Sequence, residues 1–512
     1  MKKLIVNLIS GWSATIVGAV LGLLLIPFLI KEMGGSYLLV ISLTALVGIC
    51  QLVDLGIGDS LTRELSASLA DKSQKSIAAC LSSGLALYLS VALARTIIVL
   101  IAVPLILIRL KEHIELGDRP GLFYASLVFG LSYAIITALS QTTKCYLAAH
   151  QRYDLSNLWS SITAIGIAIA LLLWIPASGT KIITWAYIHL VAQITLVIVL
   201  YASATKMEIR QYLGLGHISK GELKDLLGFS GKISLLKFTS LLGEKADPLI
   251  LTAFQPFNLI IYDPAIKVTN NTRPFMTTIT SQLCPNATEA FVNGKNEEIQ
   301  NILLSGTKYT MMIGGLIFTA IVLFSSAFTE LWLGSSLPNR WGEVADLIIA
   351  VSIIELVTFS AGGTQWTVLY GMKKINFLIW TIFPTAVLNF VMSLLLVKYS
   401  SLGVYGVIIS TFVIAIIRRP VMIWYVSRLL DISPWSYLRN SYFPPIALIA
   451  LTLLFFFPFH GWMQSLSWSK LIACGMLLFV TYVAIAFFVV LDQSEKKLLL
   501  SMKDKIRQLL FG

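Results

Sequence analysis

The feature that most constrains this chain is a series of apolar stretches, each at least as long as a bilayer is thick. The clearest extends from Ile77 to Ile108 and contains one charged residue, Arg95. About 20 apolar residues in a helix cross the hydrocarbon core of a membrane. Only 12% of all residues are charged, whereas ordinary soluble proteins carry about a quarter. The sequence therefore predicts an integral membrane protein. The long runs favour helices over the alternating strands of an outer-membrane barrel.

Hydropathy and chain-breaking residues predict about fourteen transmembrane helices. If both termini are cytoplasmic, Lys and Arg are about three times as frequent in the cytoplasmic connections as in the outer ones, as the positive-inside rule requires. The net charge of +12 then reflects topology and a cationic interior, so no nucleic-acid partner is expected. The predicted spans are 11–30, 37–56, 82–108, 122–143, 157–176, 182–203, 229–254, 257–283, 308–332, 344–369, 375–398, 402–426, 442–460 and 470–491.

Three parts are predicted along the chain: an N-lobe over 1–204, a C-lobe over 205–432, and two last helices with a basic cytoplasmic tail over 433–512. The glycine-containing connection after the sixth span is the predicted seam between the lobes. Short motifs that follow Tyr37 and Tyr262 at similar distances suggest a parallel internal repeat. The predicted fold is all-α, with two pseudo-symmetric six-helix lobes around a central cavity and two peripheral C-terminal helices.

Ionisable side chains are unusually dense between residues 228 and 290, where two of the spans are predicted. A charge at bilayer depth costs several kcal/mol if it faces lipid. These side chains are therefore predicted to line a water-filled passage. At about 100° per residue, Asp263, Lys267 and Asn270 fall on one broad helical face. The alternative is that some of these charges lie in loops or extend to the interface.

Several short motifs carry a resemblance to a known family: 27–30 through 53–59, Arg63 and Glu64, Asp247 with 249–251, Tyr262, 285–289 and 331–334. On these motifs the chain, over about residues 10–430, resembles the oligosaccharide-lipid flippases of the Wzx type. They form the polysaccharide-transporter branch of the superfamily that also holds the MATE drug exporters and the lipid II flippase.

This resemblance implies a multi-pass protein of the bacterial inner membrane, working by alternating access. Its substrate would be an undecaprenyl-diphosphate-linked oligosaccharide, such as an O-antigen repeat of lipopolysaccharide, moved from the cytoplasmic to the periplasmic leaflet. Membrane lipids and the polysaccharide polymerase or chain-length machinery are the implied partners. No enzymatic activity, cofactor or metal is expected.

With such a substrate, basic groups in the interior would pair with the diphosphate, and polar groups would contact the sugars. The alternatives are snorkelling cations and ordinary hydrogen bonds between helices. The residues predicted to bind the diphosphate or the sugars are Arg95, Lys232, Lys237, Lys245, Lys267, Arg273, Tyr133, Thr137 and Asn270.

Acidic residues within the spans are the predicted carriers of a coupling proton or sodium ion: Glu244, Asp247, Asp263 and Glu355. Asp263 precedes Lys267 by one helical turn, so this pair is predicted to form a salt bridge. Glu355 has no basic residue within seven positions. It is therefore the better candidate for a carrier.

Two other classes remain open. A MATE-type multidrug or cation antiporter would share the architecture, but cationic drugs favour an acid-rich cavity. A membrane glycan polymerase or ligase would be expected to present a large outer loop with catalytic Arg or His, and the outer connections predicted here are short.

Overall fold

The structure is a computed structural model that describes residues 2–50, 56–70, 74–110, 119–212, 214–493 and 495–496. Side chains at 228–238 and 240–245 also lie outside the description. Within the described ranges the regular structure is entirely helical, which confirms the predicted all-α membrane fold. The chain divides into two compact units. The first comprises Met1–Lys267 with Ile379–Thr411, and the second comprises Val268–Leu378 with Phe412–Gly512.

In the described part of residues 1–270, nearly all of which belong to the first unit, the helices are α1 Lys2–Met33, α2 Tyr37–Cys50, α3 Ile57–Ala70, α4 Gln74–Leu110, α5 Arg119–Leu131, α6 Thr137–Ala149, α7 Tyr153–Trp174, α8 Lys181–Thr205, α9 Ile209–Tyr212, α10 Lys220–Phe254 and α11 Leu259–Asn270. The remaining helices are α12 Arg273–Val292, α13 Asn296–Leu333, α14 Trp341–Glu355, α15 Gly363–Gly371, α16 Ile375–Tyr399, α17 Tyr405–Leu429, α18 Pro434–Tyr437, α19 Phe443–Phe456, α20 His460–Met463 and α21 Trp468–Ile485.

Eleven stretches of the described chain are long and apolar enough to cross a membrane. One of them, Ser10–Cys50, covers the first two predicted spans. The predicted spans 229–254 and 257–283 are not among the eleven, because both carry several charges. The count of fourteen therefore stays a prediction.

Two predicted spans are interrupted rather than continuous. The span predicted at 257–283 divides at residues 271–272 into α11 and α12, and α12 begins with Arg273 followed by Pro274. Proline is tolerated in the first turn of a helix, where its missing N–H leaves no bond unmade. The span predicted at 344–369 consists of α14, a π-helical turn at Leu356–Ser360, and α15. A π-helical turn frees backbone groups and is often found at functional sites.

The first unit has a well-packed core around the amphipathic helix α3. Leu61 and Leu65 lie one turn apart on its apolar face, and both are fully buried in the cluster that α3 forms with α4 and α6. Gly84 of α4 allows this close approach, because a Cβ there would lie 2.6 Å from the Leu61 side chain. We expect a larger residue at this position to push α3 away from the bundle.

The core of the second unit forms around α13. Leu323, Phe324 and Ala327 of this helix pack against Phe456 of α19 and Leu478 of α21. The last two membrane stretches thus pack directly on α13. The predicted lobes at 1–204, 205–432 and 433–512 do not coincide with the two units, and this division stays a prediction.

Candidate functional site

A largely buried ion pair of the second unit joins the start of α12 to the end of α14. Arg273, at the start of α12, donates from Nε to both Glu355 carboxylate oxygens at 3.0 and 2.9 Å, and from Nη2 to Oε1 at 2.7 Å. The Glu355 side chain is 6% exposed, and the Arg273 guanidinium lies 4.3 Å from the centre of the Phe359 ring. Charge-assisted bidentate contacts of this kind are among the strongest hydrogen bonds in proteins.

Glu355 thus has a basic partner, although none lies within seven positions of it in the sequence. Sequence spacing shows partners on the same helix, whereas Arg273 reaches Glu355 from another helix, 82 positions away. Arg273, expected to bind the diphosphate, is in this structure engaged with a carboxylate. The roles of both residues in transport stay predictions.

A small cleft lies beside this ion pair. Its polar wall consists of Glu355 and the hydroxyl residues Thr269, Thr272, Ser352 and Ser360. Gly314 of α13 forms part of the opposite wall, where an added Cβ would collide with the Ser360 side chain. Hydroxyl and carboxylate oxygens in such a space can hold water next to an acidic group.

A second arginine, Arg419 of α17, holds the irregular part of the same interrupted span. It donates from Nη1 to Gln365 Oε1 at 2.8 Å and from Nη2 to the Thr358 carbonyl at 3.2 Å. Its Nε is buried and has no hydrogen-bond partner in the described part of the chain. Both acceptors are neutral oxygens, so these two hydrogen bonds do not neutralise the positive charge.

Arg418, Arg419 and Lys308 are not among the site residues that the sequence analysis predicted. The structure places Lys308 within α13 and the two arginines within α17. The signal was present in the sequence: both arginines occur inside the predicted span 402–426.

In the first unit, Asp263 and Lys267 form the predicted ion pair, with Lys267 Nζ 2.7 Å from Asp263 Oδ2. The i,i+4 spacing alone was enough to predict it. The structure adds a third member, because the Tyr37 hydroxyl donates to the same Oδ2 at 2.7 Å. Lys267 remains 44% exposed, so its ammonium group can still contact a second anion.

Asp247 lies in a buried cluster whose members are neutral. It accepts a 3.3 Å hydrogen bond from Tyr262, and the Ser393 hydroxyl is within hydrogen-bonding reach. Ser393 in turn donates to Ser410 at 2.9 Å, and Ser410 contacts the Asn389 side chain. A carboxylate surrounded by hydroxyl and amide oxygens has the donor chemistry of a site for a proton or a hard cation.

Arg95 is 2% exposed and lies in the middle of α4. Its Nε donates to the Cys50 carbonyl at 2.9 Å and its Nη1 to Thr137 Oγ1 at 3.1 Å. A π-helical turn at Ser132–Ile136 precedes Thr137. Two residues predicted to contact substrate are therefore brought together.

Tyr133, within that turn, contacts a different group, with its hydroxyl 3.2 Å from His189 Nδ1. Phe129 and Trp185 pack against the same histidine ring. The sequence analysis did not find this cluster, since its members come from two parts of the chain that are about 55 positions apart.

The other predicted site residues are less completely placed. Lys232, Lys237, Glu244 and Lys245 lie on α10, but their side chains are outside the described part. Asn270 ends α11, and its buried Oδ1 has no hydrogen-bond partner among the described residues. Over the described ranges, no group of three or more His, Cys, Asp or Glu side chains could hold a metal ion.

No protein-family model matches the sequence, and no curated protein matches it. Solved structures do match the fold. The chain superposes with a TM-score of 0.69 and 15% identity on the lipid II flippase MurJ in an inward closed conformation, covering 94% of this chain and 99% of that one. It also matches an inward-facing multidrug resistance MATE family transporter of the MOP superfamily, with a TM-score of 0.64 and 14% identity over 82% of this chain and 96% of that one. The chain is therefore a multi-pass membrane protein with the fold of these transporters.

Proposed function

We propose that this protein is a flippase for a lipid-linked oligosaccharide that carries a diphosphate, and that it acts in the bacterial inner membrane. An O-antigen repeat on undecaprenyl diphosphate is the substrate that the sequence resemblance favours. The fold supports transport across a membrane, since one of its structural neighbours is a lipid II flippase.

The observation that carries the proposal is the buried environment of Arg419 and its hydrogen-bond partners. This cation lies within a membrane-spanning helix, contacts only neutral oxygens, and keeps a buried N–H donor without an acceptor in the described chain. Placing a charge in such a position costs several kcal/mol unless something compensates it. An interior that retains positive charge favours an anionic headgroup over a cationic drug.

We further propose that Asp247 binds the coupling ion, a proton or sodium. Its neighbours Tyr262 and Ser393 are neutral, whereas Asp263 and Glu355 already have basic partners. Among the described residues Asp247 has no basic partner, and such a carboxylate can gain and lose a cation at lower cost, because no ion pair has to break.

Deletion in the native host followed by lipid analysis tests the proposal. A sugar-diphosphate lipid is expected to accumulate facing the cytoplasm, while surface polysaccharide decreases. Unchanged polysaccharide together with new sensitivity to cationic drugs would contradict the proposal. That result would favour a MATE-type antiporter, the reading in which the Asp247 cluster binds the transported cation.

Lys267→Ala in the complemented deletion strain tests the predicted contact with the substrate. Surface polysaccharide is expected to decrease. The amount of folded protein in the membrane is measured in parallel, because Asp263, whose side chain is 12% exposed, loses its basic partner. Lys470→Ala is the matched control, because this lysine is also exposed and lies outside the candidate cluster. Equal polysaccharide in the two strains would remove Lys267 from the site.

A further inference from the structure

A series of buried hydrogen bonds connects the membrane stretch Pro434–Met463 to Arg419. The Gln365 side-chain oxygen accepts from Arg419 Nη1 at 2.8 Å, and the Gln365 amide nitrogen donates to the Tyr442 hydroxyl at 3.1 Å. The Tyr442 hydroxyl donates in turn to the Ala361 carbonyl at 2.8 Å. Gln365 is fully buried and Tyr442 is 6% exposed. Tyr442 therefore contributes to the surroundings of an arginine that lies on another membrane stretch.

The arginine fixes the direction of each bond in this series. A guanidinium group has N–H donors and no acceptor, so the Gln365 oxygen faces Arg419 and the Gln365 NH2 group faces Tyr442. The Tyr442 hydroxyl accepts from that NH2 group and gives its own proton to the Ala361 carbonyl. Without the hydroxyl, nothing in this series would favour the amide orientation that presents oxygen to Arg419. Tyr442 thus selects the orientation of Gln365 that binds the arginine.

The Tyr442 side chain is itself held in place. It ends a π-helical turn, Leu438–Tyr442, a feature that is often found at functional sites. Its ring meets the Tyr437 ring edge-on, with centroids 5.4 Å apart. Tyr437 is fully buried, and its hydroxyl lies 2.8 Å from Thr307 Oγ1 of α13. Both the ring and the hydroxyl of Tyr442 therefore have fixed neighbours.

The guanidinium group of Arg419 is held at two further places. Its Nη2 donates to the Thr358 carbonyl within the other π-helical turn, at 3.2 Å. Gly362 leaves room for the group, because an added Cβ there would collide with it. Its buried Nε has no hydrogen-bond partner in the part of the chain that the structure describes. A cation whose orientation is already fixed loses less conformational freedom when an anion binds.

We propose that Tyr442 is a positioning residue, which orients the Gln365 amide and through it holds the Arg419 guanidinium ready to bind the diphosphate of the substrate. The identity of this ligand rests on the proposed function, whereas the positioning of the arginine does not. The membrane stretch Pro434–Met463 then takes part in substrate binding.

Nuclear magnetic resonance of the full-length protein in detergent micelles tests the positioning without any ligand. The protein is isotope-labelled at the arginine nitrogens, and the exchange of each Nε–H with water is measured. The Arg419 signal is identified by its absence in Arg419→Lys. It is expected to exchange slowly, because this Nε is buried. Tyr442→Phe is expected to accelerate the exchange about tenfold, the effect of losing a hydrogen bond to a charged group on local opening.

Tyr482→Phe is the matched control. This tyrosine is 4% exposed, and its hydroxyl donates to the Met312 carbonyl at 2.7 Å, so the variant also loses one buried bond to a backbone carbonyl. Its exchange at Arg419 is expected to equal that of the wild type. Gln365→Met keeps the length of the side chain without the acceptor, and it should accelerate the exchange as Tyr442→Phe does.

Gln365→Glu separates positioning from a merely structural role of the hydroxyl. Both oxygens of a carboxylate accept hydrogen bonds, so either end can bind Arg419 and no selection by Tyr442 is needed. Exchange at Arg419 is expected to be slow in Gln365→Glu, and to stay slow when Tyr442→Phe is added. The carboxylate also neutralises the arginine, so calorimetry should show inorganic pyrophosphate binding about tenfold more weakly than to the wild type.

Two results would overturn the proposal. One is equal exchange at Arg419 in Tyr442→Phe and Tyr482→Phe. The other is an acceleration by Tyr442→Phe that persists in the Gln365→Glu background, since the hydroxyl would then act through packing alone. A wild-type protein that shows the expected exchange rates but binds no pyrophosphate would support the positioning and count against the proposed diphosphate substrate.

Discussion

Separating Arg273 from Glu355 should cost far more stability than separating an exposed ion pair. The perturbation is a double-mutant cycle with Glu355→Gln, Arg273→Met and the two combined. Each single variant leaves a largely buried charge without its partner, because the two side chains are 6% and 20% exposed. Breaking such a pair from one side costs about 3–5 kcal/mol.

The double variant should lose little more than either single one, because the second substitution removes a charge that is already unpaired. The expected coupling energy is therefore about 3 kcal/mol. Arg340 and Glu343 provide the matched control, since they form a bidentate pair at 2.8 and 2.9 Å whose side chains are 30% and 47% exposed. Exposed pairs of this kind contribute about 0.2–1 kcal/mol.

The assay is the free energy of unfolding in mixed micelles, from titration with sodium dodecyl sulfate followed by circular dichroism. The four variants of each cycle are measured under one set of conditions. If the coupling energy of the buried pair does not exceed that of the control pair, the reasoning from burial is refuted. The two side chains would then be as well solvated as surface residues.

Two further predictions concern the cleft and a carboxyl group in the first turn of α10. Gly314→Ala should destabilise the protein by about 1–3 kcal/mol, because the new methyl group collides with Ser360, whereas Gly342→Ala, with no atom within 4 Å of its Cβ, should change stability by less than about 0.5 kcal/mol. Equal changes in melting temperature for the two variants would mean that the side chains around Gly314 move aside without a cost in stability. Burial and then the nearby Glu64 carboxylate raise the pKa of Glu222. A raised carboxyl pKa means that the ionised group disfavours folding, so Glu222→Gln should raise the melting temperature at neutral pH. This gain should vanish as the pH falls below the ordinary pKa of a glutamate, because the carboxyl group is then protonated in both the folded and the unfolded protein. A gain in melting temperature that is independent of pH would contradict this prediction.

Local sequence patterns predicted a good part of the molecule. The apolar runs predicted a helical membrane protein because a bilayer requires every backbone group to be bonded within the segment. The i,i+4 spacing predicted the pair between Asp263 and Lys267, since residues four apart lie on one helical face. The depth of Arg95 in its span predicted a buried cation, which the structure places against Cys50 and Thr137.

Other features were decided only by the packing of helices. The partner of Glu355 lies 82 positions away, and Arg419 contacts Gln365 across 54. The interruptions in the eighth and tenth predicted spans were not anticipated either. Hydropathy measures the composition of a segment, so it does not detect an interruption of the helix that leaves the composition unchanged.

The sequence by itself determined which segments enter the membrane and which charges they carry, because hydropathy and helical period are local properties. The tertiary structure decided which charges neutralise one another and which remain available. Arg273 is engaged by Glu355, whereas Arg419 contacts neutral oxygens. The difference depends on which helices are neighbours, and that is set by the packing of side chains far apart in the chain.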